Sequence, residues 1–402
     1  MSIPALTNIM KIGVPAFRIG YYSYLKTIIG LLPEAEYVPL PDLFSMQNRL
    51  ARRLNRLAGR NLFQTFDRNN QFNDLDLNRV DLLHLFNSIS YGRRPWVTTF
   101  ETLVPRFRSA LRQGGKDASG ESGLRRGLAA LAGKACKKLI ALSECSLAFE
   151  NDLLVRFPEY RQQIAGKMTV LHPGQATLLK KYDDKPVSPP GKVRFMFVGA
   201  AFFRKGGREC VDVLKSLREA HAWDLELVLV SSFKVEDYAT RETAEDVRRY
   251  QAIVQDNAGW IRHFPSLPNP QVLEWMKNSH VGLLPTHADT YGFSVLEFQS
   301  AGCPVISTDV RALPEINNDR AGWLIRVPKD RLGEARYASA EERQALSSAI
   351  RTGLEQAVRE MIHDPDSIRR KGELSIERIR REHSPADRAQ RLREIYAGAI
   401  NS

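Results

Sequence analysis

The chain of 402 residues has only four cysteines, Cys136, Cys145, Cys210 and Cys303, and no two stand in a CxxC pair or at a metal-binding spacing. A disulfide framework or a structural zinc site is therefore not expected, and the thiols read as reduced and structural. No window supplies the roughly 18 apolar residues of a membrane-spanning helix. The opening MSIPALTNIMKIGV lacks a charged stretch followed by a long apolar one, so no export signal is expected and the chain is assigned to the cytoplasm. The glycine loops GxGxxG and GxxxxGK followed by Ser or Thr are missing too, which weakens dehydrogenase and P-loop readings.

What is present fits a folded protein in water: 43% hydrophobic and 26% charged residues place it among soluble globular chains. Its length exceeds one comfortable core, so two domains are expected. Lys and Arg number 58 against 46 Asp and Glu, a net +12. The excess is local, in Arg52, Arg53, Arg56 and Arg60 and in a run from Arg106 to Lys138. Such clusters point to an anionic surface or substrate, although a solvated helix face is the commoner explanation for any one of them.

Short apolar runs alternate with longer amphipathic or loop segments. In the first half they are 11–14, 80–86, 96–100, 138–143 and 168–172; in the second, 193–199, 225–231, 281–285, 304–308 and 322–327. Strands spaced by crossover helices predict parallel sheets, hence two doubly wound α/β domains. The stretch KYDDKPVSPPGK at 181–192 reads as a linker, placing the boundary near residue 187. The expected division is 1–187, 188–380, and a terminal helix over 381–402 with Leu392, Ile395, Tyr396 and Ile400 on one face.

Ligands of such sheets bind beyond the carboxyl ends of the strands. There the sequence places Asp289 after one buried strand and Glu297 in the first turn of the helix that follows, with Gly292 between them. The helix start favours an anion such as a diphosphate, and a carboxylate beside a diphosphate finds donors in a ribose diol. Glu297 also fits a capping box with Ser294, in which it only satisfies a backbone donor. A second strand ends at Gly199, and Arg204, Lys205, Gly206 and Gly207 lead into a helix; the cations neutralise charge and the glycines bare N–H groups, as a diphosphate clamp requires, although a solvated turn is the commoner explanation of such a stretch by itself. Read as an exposed loop cation, Lys205 would matter little to stability.

These stretches resemble the GT-B glycosyltransferases of family 4, the large retaining group. The family's phosphate loop, G-R-x-x-x-x-K-G, is matched at 199–206, and its E-x7-E motif at Asp289 to Glu297, followed by AGCPVI at 301–306 and DVRALPEI at 309–316. Weaker matches, DLLHLFNS at 81–88, LIALSECS at 139–146 and VLHPGQ at 170–175, extend the resemblance over nearly the whole chain. It implies two Rossmann-like domains facing across a cleft, the N-terminal one taking the acceptor and the C-terminal one the donor, with the last helix crossing back. It further implies metal-independent transfer of a hexose, with retention, from a nucleoside diphosphate sugar to a glycan or lipid-linked acceptor, as in cell-surface polysaccharide or glycolipid synthesis.

On these positions, Lys205 and Arg204 would hold the diphosphate, Glu297 the ribose, and Asp289 the sugar hydroxyls. Gly199 and the backbone of Tyr291, Gly292, Phe293 and Ser294 would complete the phosphate site. Two positions depart from the pattern: Ala200 stands where the family has arginine, and Asp289 where it has glutamate. Glu101, at a strand end, is a candidate to orient the acceptor or act as a base. No cofactor or metal is expected: Asp74/Asp76 and Asp364/Asp366 have the D-x-D form but lie in polar segments. An anionic membrane at the inner face is a further expected partner, through the basic, leucine-bearing stretch 124–138. The rival readings are a sugar-nucleotide epimerase on the same fold and a basic nucleic-acid-binding protein. The second lacks interleaved aromatics or a recognisable module, so no nucleic acid is expected as partner.

Overall fold

A computed structural model describes residues 9–19, 25, 27–60, 62–63, 65–111, 118–186, 191–236 and 238–402. The chain divides into two compact units, Met1–Gly174 with Pro385–Ser402, and Gln175–Ser384.

In the first unit the strands are β1 (Met10–Pro15), β2 (Ala35–Leu40), β3 (Gln71–Phe72), β4 (Leu82–Phe86), β5 (Ile89–Ser90), β6 (Trp96–Phe100), β7 (Cys136–Ala141) and β8 (Met168–Val170). Its helices are α1 (Leu43–Leu57), α2 (Phe66–Asn69), α3 (Arg108–Leu111), α4 (Ala118–Ala132), α5 (Glu144–Val155) and α6 (Pro158–Ala165). Six strands form a parallel sheet in the order β2-β1-β4-β6-β7-β8. Every residue of β4 and β6 is buried, as expected for inner parallel strands covered by helices on both faces.

The second unit has β9 (Val193–Val198), β10 (Leu225–Val230), β11 (Ile261–Phe264), β12 (Val281–Leu284), β13 (Val305–Thr308) and β14 (Trp323–Ile325). Its helices are α7 (Gly207–His221), α8 (Ala244–Asp256), α9 (Asn269–Lys277), α10 (Phe293–Ser300), α11 (Leu313–Ile316), α12 (Ala340–His363) and α13 (Asp366–Glu382). The parallel sheet runs β11-β10-β9-β12-β13-β14, so the chain starts in the middle, builds one side, then returns to build the other. The reversal lies between β9 and β12, the place in such sheets where ligands bind beyond the carboxyl ends of the strands.

The last helix, α14 (Pro385–Asn401), belongs to the first unit. Leu392 and Tyr396 are buried, and Tyr396 Oη lies 2.6 Å from Nδ1 of the fully buried His84 on β4. Arg388 donates to the carbonyls of Leu171, His172 and Thr27.

Residue 187 lies outside the described residues. The division by contacts falls earlier, after Gly174, and the return at Pro385. The cause is visible: Leu178 N and Leu179 N donate to Ser300 O at 2.9 and 3.2 Å, and Lys185 Nζ to Ala301 O at 2.7 Å, which fastens residues 175–186 to the second unit.

The stretch 124–138 is not a surface of alternating leucines and cations. Leu124, Leu128 and Leu131 are fully buried in the core of the first unit, so no apolar row of α4 is left for a bilayer. No helix among the described residues is long and apolar enough to cross a membrane. All four cysteines are free thiols, and burial pushes Cys136 up to about 12.

Candidate donor site at the strand reversal

The loops after β9 and β12 leave the sheet side by side, and their contact depends on Gly206. Its φ is +83°, and a Cβ there would stand 2.0 Å from the carbonyl oxygen of Pro285, so only glycine lets the two backbones pass. Around that point Arg204 O accepts from His287 N at 2.8 Å and from Thr286 Oγ1 at 3.0 Å, while Arg204 Nη1 donates to Ala288 O at 2.6 Å. Lys205 Nζ then meets Asp289 Oδ2 at 2.6 Å. The two motifs read from the sequence thus converge, 84 residues apart along the chain.

Lys205 and Asp289 are only 19% and 12% exposed, so this is a sheltered pair and not a solvated loop cation beside a carboxylate. Burial pushes the Asp289 carboxyl up, but Lys205 and Arg204 more than reverse this and hold it below the usual carboxylate range. Its other oxygen accepts from Thr290 N at 2.8 Å. Arg204 is itself engaged, with Glu236 Oε2 at 2.5 Å from its Nε. It clamps three segments together, and reaching a diphosphate would require it to release Glu236 or Ala288. Glu236, 32 residues further along, carries no sequence signal that would have paired it with Arg204.

Gly292 caps α10 with φ +90°, and a Cβ there would stand 2.5 Å from Leu313 Cδ2. Phe293 is therefore the first helical residue and Ser294 the second, which makes Glu297 the fifth. There is no acidic residue in the first turn of α10, and Ser294 is not the cap. The capping box is thereby removed, because that motif needs the acid three residues after the cap. Glu297 is half-buried on the second turn. Tyr291 is 1% exposed, its ring 4.9 Å from that of Phe293, and Ser294 is half-buried. Gly199, at the end of β9, faces the stem of Lys205; a Cβ there would be 3.2 Å from Lys205 Cγ.

At 309–316 the resembled motif has glycine where this chain has Arg311, and Arg311 takes φ +45°, the left-handed conformation a glycine would adopt freely. It pairs with Glu334 and donates to Tyr238 Oη at 3.0 Å, contacts that hold an otherwise disfavoured backbone.

Glu101 is in the first unit, after β6. Its main chain is tied on both sides: its N–H donates to Asn87 Oδ1 at 3.0 Å, and its carbonyl accepts from Ser146 Oγ at 2.5 Å. The D-x-D pairs are used locally. Asp74 accepts from Asp76 N and Asn78, Asp76 from Arg93 N, and Asp364 pairs with Arg370.

The arrangement offers a sheltered cation–carboxylate pair between the starts of α7 and α10, whose first N–H groups have no intrahelical acceptors. Cations and free N–H groups of this kind suit phosphate oxygens, and a carboxylate suits hydroxyl donors.

The sequence profile of the family described as glycosyl transferases group 1 matches residues 192–339, which contain both loops. Among curated proteins the chain is 26% identical over 139 residues to a D-inositol 3-phosphate glycosyltransferase of Paenarthrobacter aurescens (strain TC1), covering 34% of this chain and 32% of that protein. It is 28% identical over 204 residues to an alpha-maltose-1-phosphate synthase of Mycolicibacterium smegmatis, covering 50% and 46%. The chain thus spans less than half the length of these relatives. Among solved structures it is similar to sucrose-phosphate synthase from Thermosynechococcus elongatus (TM-score 0.58, 14% identity, 98% and 99% of the chains). It is also similar to HepE of Anabaena in complex with UDP and glucose (TM-score 0.54, 13% identity, 96% and 99%). The fold is that of GT-B enzymes, and residues 192–339 are similar to the group 1 glycosyl transferases.

Proposed function

We propose that the chain is a retaining glycosyltransferase that moves a hexose from a nucleoside diphosphate donor to a glycan or lipid-linked acceptor in the making of a cell-surface polysaccharide or glycolipid. The observation that carries this reading is the Lys205–Asp289 pair at 2.6 Å, set where the strand order reverses and beside two helix starts. Transfer breaks the bond from the anomeric carbon to the diphosphate oxygen and forms one to the acceptor hydroxyl oxygen on the same face, the hydroxyl's proton passing to the departing diphosphate. The leaving diphosphate gains charge, which Lys205 and the N–H groups opening α7 and α10 stabilise. Arg204 keeps the loops in register, Asp289 accepts from sugar hydroxyls once Lys205 turns to phosphate, and Glu297 takes the ribose diol. Gly199 and the backbone from Tyr291 to Ser294 leave room for the diphosphate. In this reading no metal ion is needed, because the chain supplies the positive charge. Glu101 is proposed to orient the acceptor.

HepE of Anabaena holds UDP and glucose, which makes UDP-glucose the first donor to try. Incubation of the chain with UDP-glucose and other sugar nucleotides, with and without glycan and lipid acceptors, tests the reading. Acceptor-dependent release of nucleoside diphosphate and a product with the donor's anomeric configuration are expected. Inverted product would end the retaining assignment; interconversion of sugar nucleotides without an acceptor would favour an epimerase.

A peripheral position at an anionic membrane is part of the same proposal, now with α1 as the docking surface. Met46, Leu50, Leu54 and Leu57 recur at helical spacing and are 56%, 60%, 39% and 85% exposed. Arg49, Arg52, Arg53, Arg56 and Arg60 accompany them with no acidic residue between 43 and 60. An apolar stripe flanked by guanidiniums lies well in a headgroup layer. Flotation with anionic vesicles should be salt-sensitive and lost in Leu50→Glu; equal binding to neutral vesicles would remove the electrostatic part.

A further inference from the structure

On the α7, α8 and α12 side of the second unit lies a cavity of about 700 Å³, within the range of small-molecule sites. None of the side chains assigned above to the donor lines it, although Arg208 stands in the first turn of α7, whose N–H groups face the donor in the proposed function. Five of its lining residues are arginines, from α7 (Arg208), α8 (Arg249), α12 (Arg343, Arg351) and the loop before α8 (Arg241), against three carboxylates.

The carboxylates are already spent. Asp212 accepts from Tyr250 Oη at 2.8 Å and Arg351 Nη2 at 2.5 Å. Asp246 is taken by the N–H and hydroxyl of Thr243 at 2.8 and 2.7 Å in the capping box of α8. Glu242 accepts from Thr240 Oγ1 at 3.0 Å, and burial raises its pKa. Arg351 is paired with Asp212 and Arg208 with Glu209 at 3.1 Å, but among the described residues Arg249 has no ion pair, and Arg343 donates only to the carbonyls of Tyr337 and Ala338, both at 3.0 Å.

A second observation is independent of charge. His287 lines the same cavity and is 0% exposed, and its Nδ1 has no hydrogen-bond partner among the described residues; Nε2 lies 3.2 Å from Glu209 Oε1. A buried ring nitrogen without a partner costs free energy unless something in the cavity meets it.

We infer that this cavity is a second ligand site, taking a small phosphate ester that carries hydroxyl groups. The arginines hold the phosphate, since guanidinium matches its oxygens in pairs, and His287 meets a hydroxyl. The site adjoins the donor loops through one residue: His287 N donates to Arg204 O at 2.8 Å, two positions before Asp289.

The test uses the full chain, with calorimetric titration of ribose 5-phosphate, inorganic phosphate and neutral ribose. Two variants at exposed helical positions that line the cavity change its charge: Arg249→Glu reverses one, and Ser348→Glu adds a negative one. Ribose 5-phosphate should bind more tightly than inorganic phosphate, ribose should give no signal, and each variant should weaken the ester by about tenfold or more, as expected for a charge-assisted contact. UDP affinity should be the same in wild type and variants. Equal ester affinity in wild type and both variants, displacement of the ester by UDP one for one, or no binding of either phosphate at millimolar concentration overturns the proposal. Binding of ribose 5-phosphate by a chain that does not bind UDP would sustain this site while ending the donor reading.

Discussion

Lys205 Nζ stands 2.6 Å from Asp289 Oδ2, and that contact ties the loop after β9 to the loop after β12 where the second sheet reverses its order. The pair does two jobs in succession. Without a ligand it neutralises a nearly buried carboxylate; in the proposed function, a diphosphate would draw the cation toward phosphate and free the carboxylate for sugar hydroxyls. Arg204 supports this without being spare, because Glu236 and Ala288 already occupy it.

Lys205→Ala should therefore destabilise as well as inactivate, contrary to what an exposed cation implies. An unpaired, largely buried Asp289 costs about 1–3 kcal/mol, a shift of several degrees in melting temperature. The Lys205→Ala/Asp289→Ala double variant should recover most of that loss and none of the activity. Thermal unfolding of the single and double variants decides; an unchanged melting temperature in Lys205→Ala would mean the pair carries no net stability. Because the folded pKa of Asp289 is depressed, the contribution is present above the usual carboxylate range and fades as pH falls through it.

Glu297→Gln separates ribose binding from a structural role. Glu297 is the fifth residue of α10, so no cap is lost, and thermal unfolding measured beside the kinetics separates a change in stability from a change in ribose binding. If it accepts both ribose hydroxyls, the neutral amide presents a donor to a donor. Activity at subsaturating donor should then fall about ten- to a hundredfold, from a charged hydrogen bond of roughly 1.5–3 kcal/mol. Full activity in the variant would remove the ribose assignment.

His84 predicts a pH dependence of the first unit. Burial first, and Arg388 second, push its imidazole down to about 3, so the folded state keeps it neutral while the unfolded chain takes up a proton below about pH 6.5. The unfolded state then binds more protons, and stability falls as pH drops from about 6.5 toward 3, by about 1.4 kcal/mol per pH unit from this group alone. In denaturant titrations at several pH values His84→Gln should show a shallower decline than wild type. Parallel curves would place the acid sensitivity elsewhere.

Chelation tests the metal-free reading. Turnover should be unchanged after EDTA treatment and dialysis, and Mg²⁺ or Mn²⁺ should add nothing, since Lys205 and two helix starts supply the charge a cation would bring. A tenfold loss restored by one divalent ion would contradict it.

Inner strands were legible because parallel strands buried on both faces read as unbroken apolar runs; Trp96–Phe100 is an instance. Of the strands left unread, Ala35–Leu40 and Ile261–Phe264 are sheet edges, where Pro39 and Glu36, or Arg262 and His263, are tolerated and dilute the pattern, while Gln71–Phe72 and Ile89–Ser90 have two residues each, too few to carry one. Lys205, Asp289 and Gly206 were legible as short motifs around glycines. Their mutual contact, the sheltering of Lys205, and Glu236 were not, because each joins residues far apart in sequence. The exposed leucines of α1 and the buried ones of α4 look alike in composition; only packing tells them apart.

The most direct test of the central claim is calorimetric titration of UDP, ADP and GDP onto the chain and its Lys205→Ala and Glu297→Gln variants. At least one nucleoside diphosphate should bind one site per chain, and both variants should weaken it about tenfold or more at temperatures where they remain folded. Binding undiminished in Lys205→Ala, or no binding of any of the three to the folded wild-type chain, would contradict the donor site.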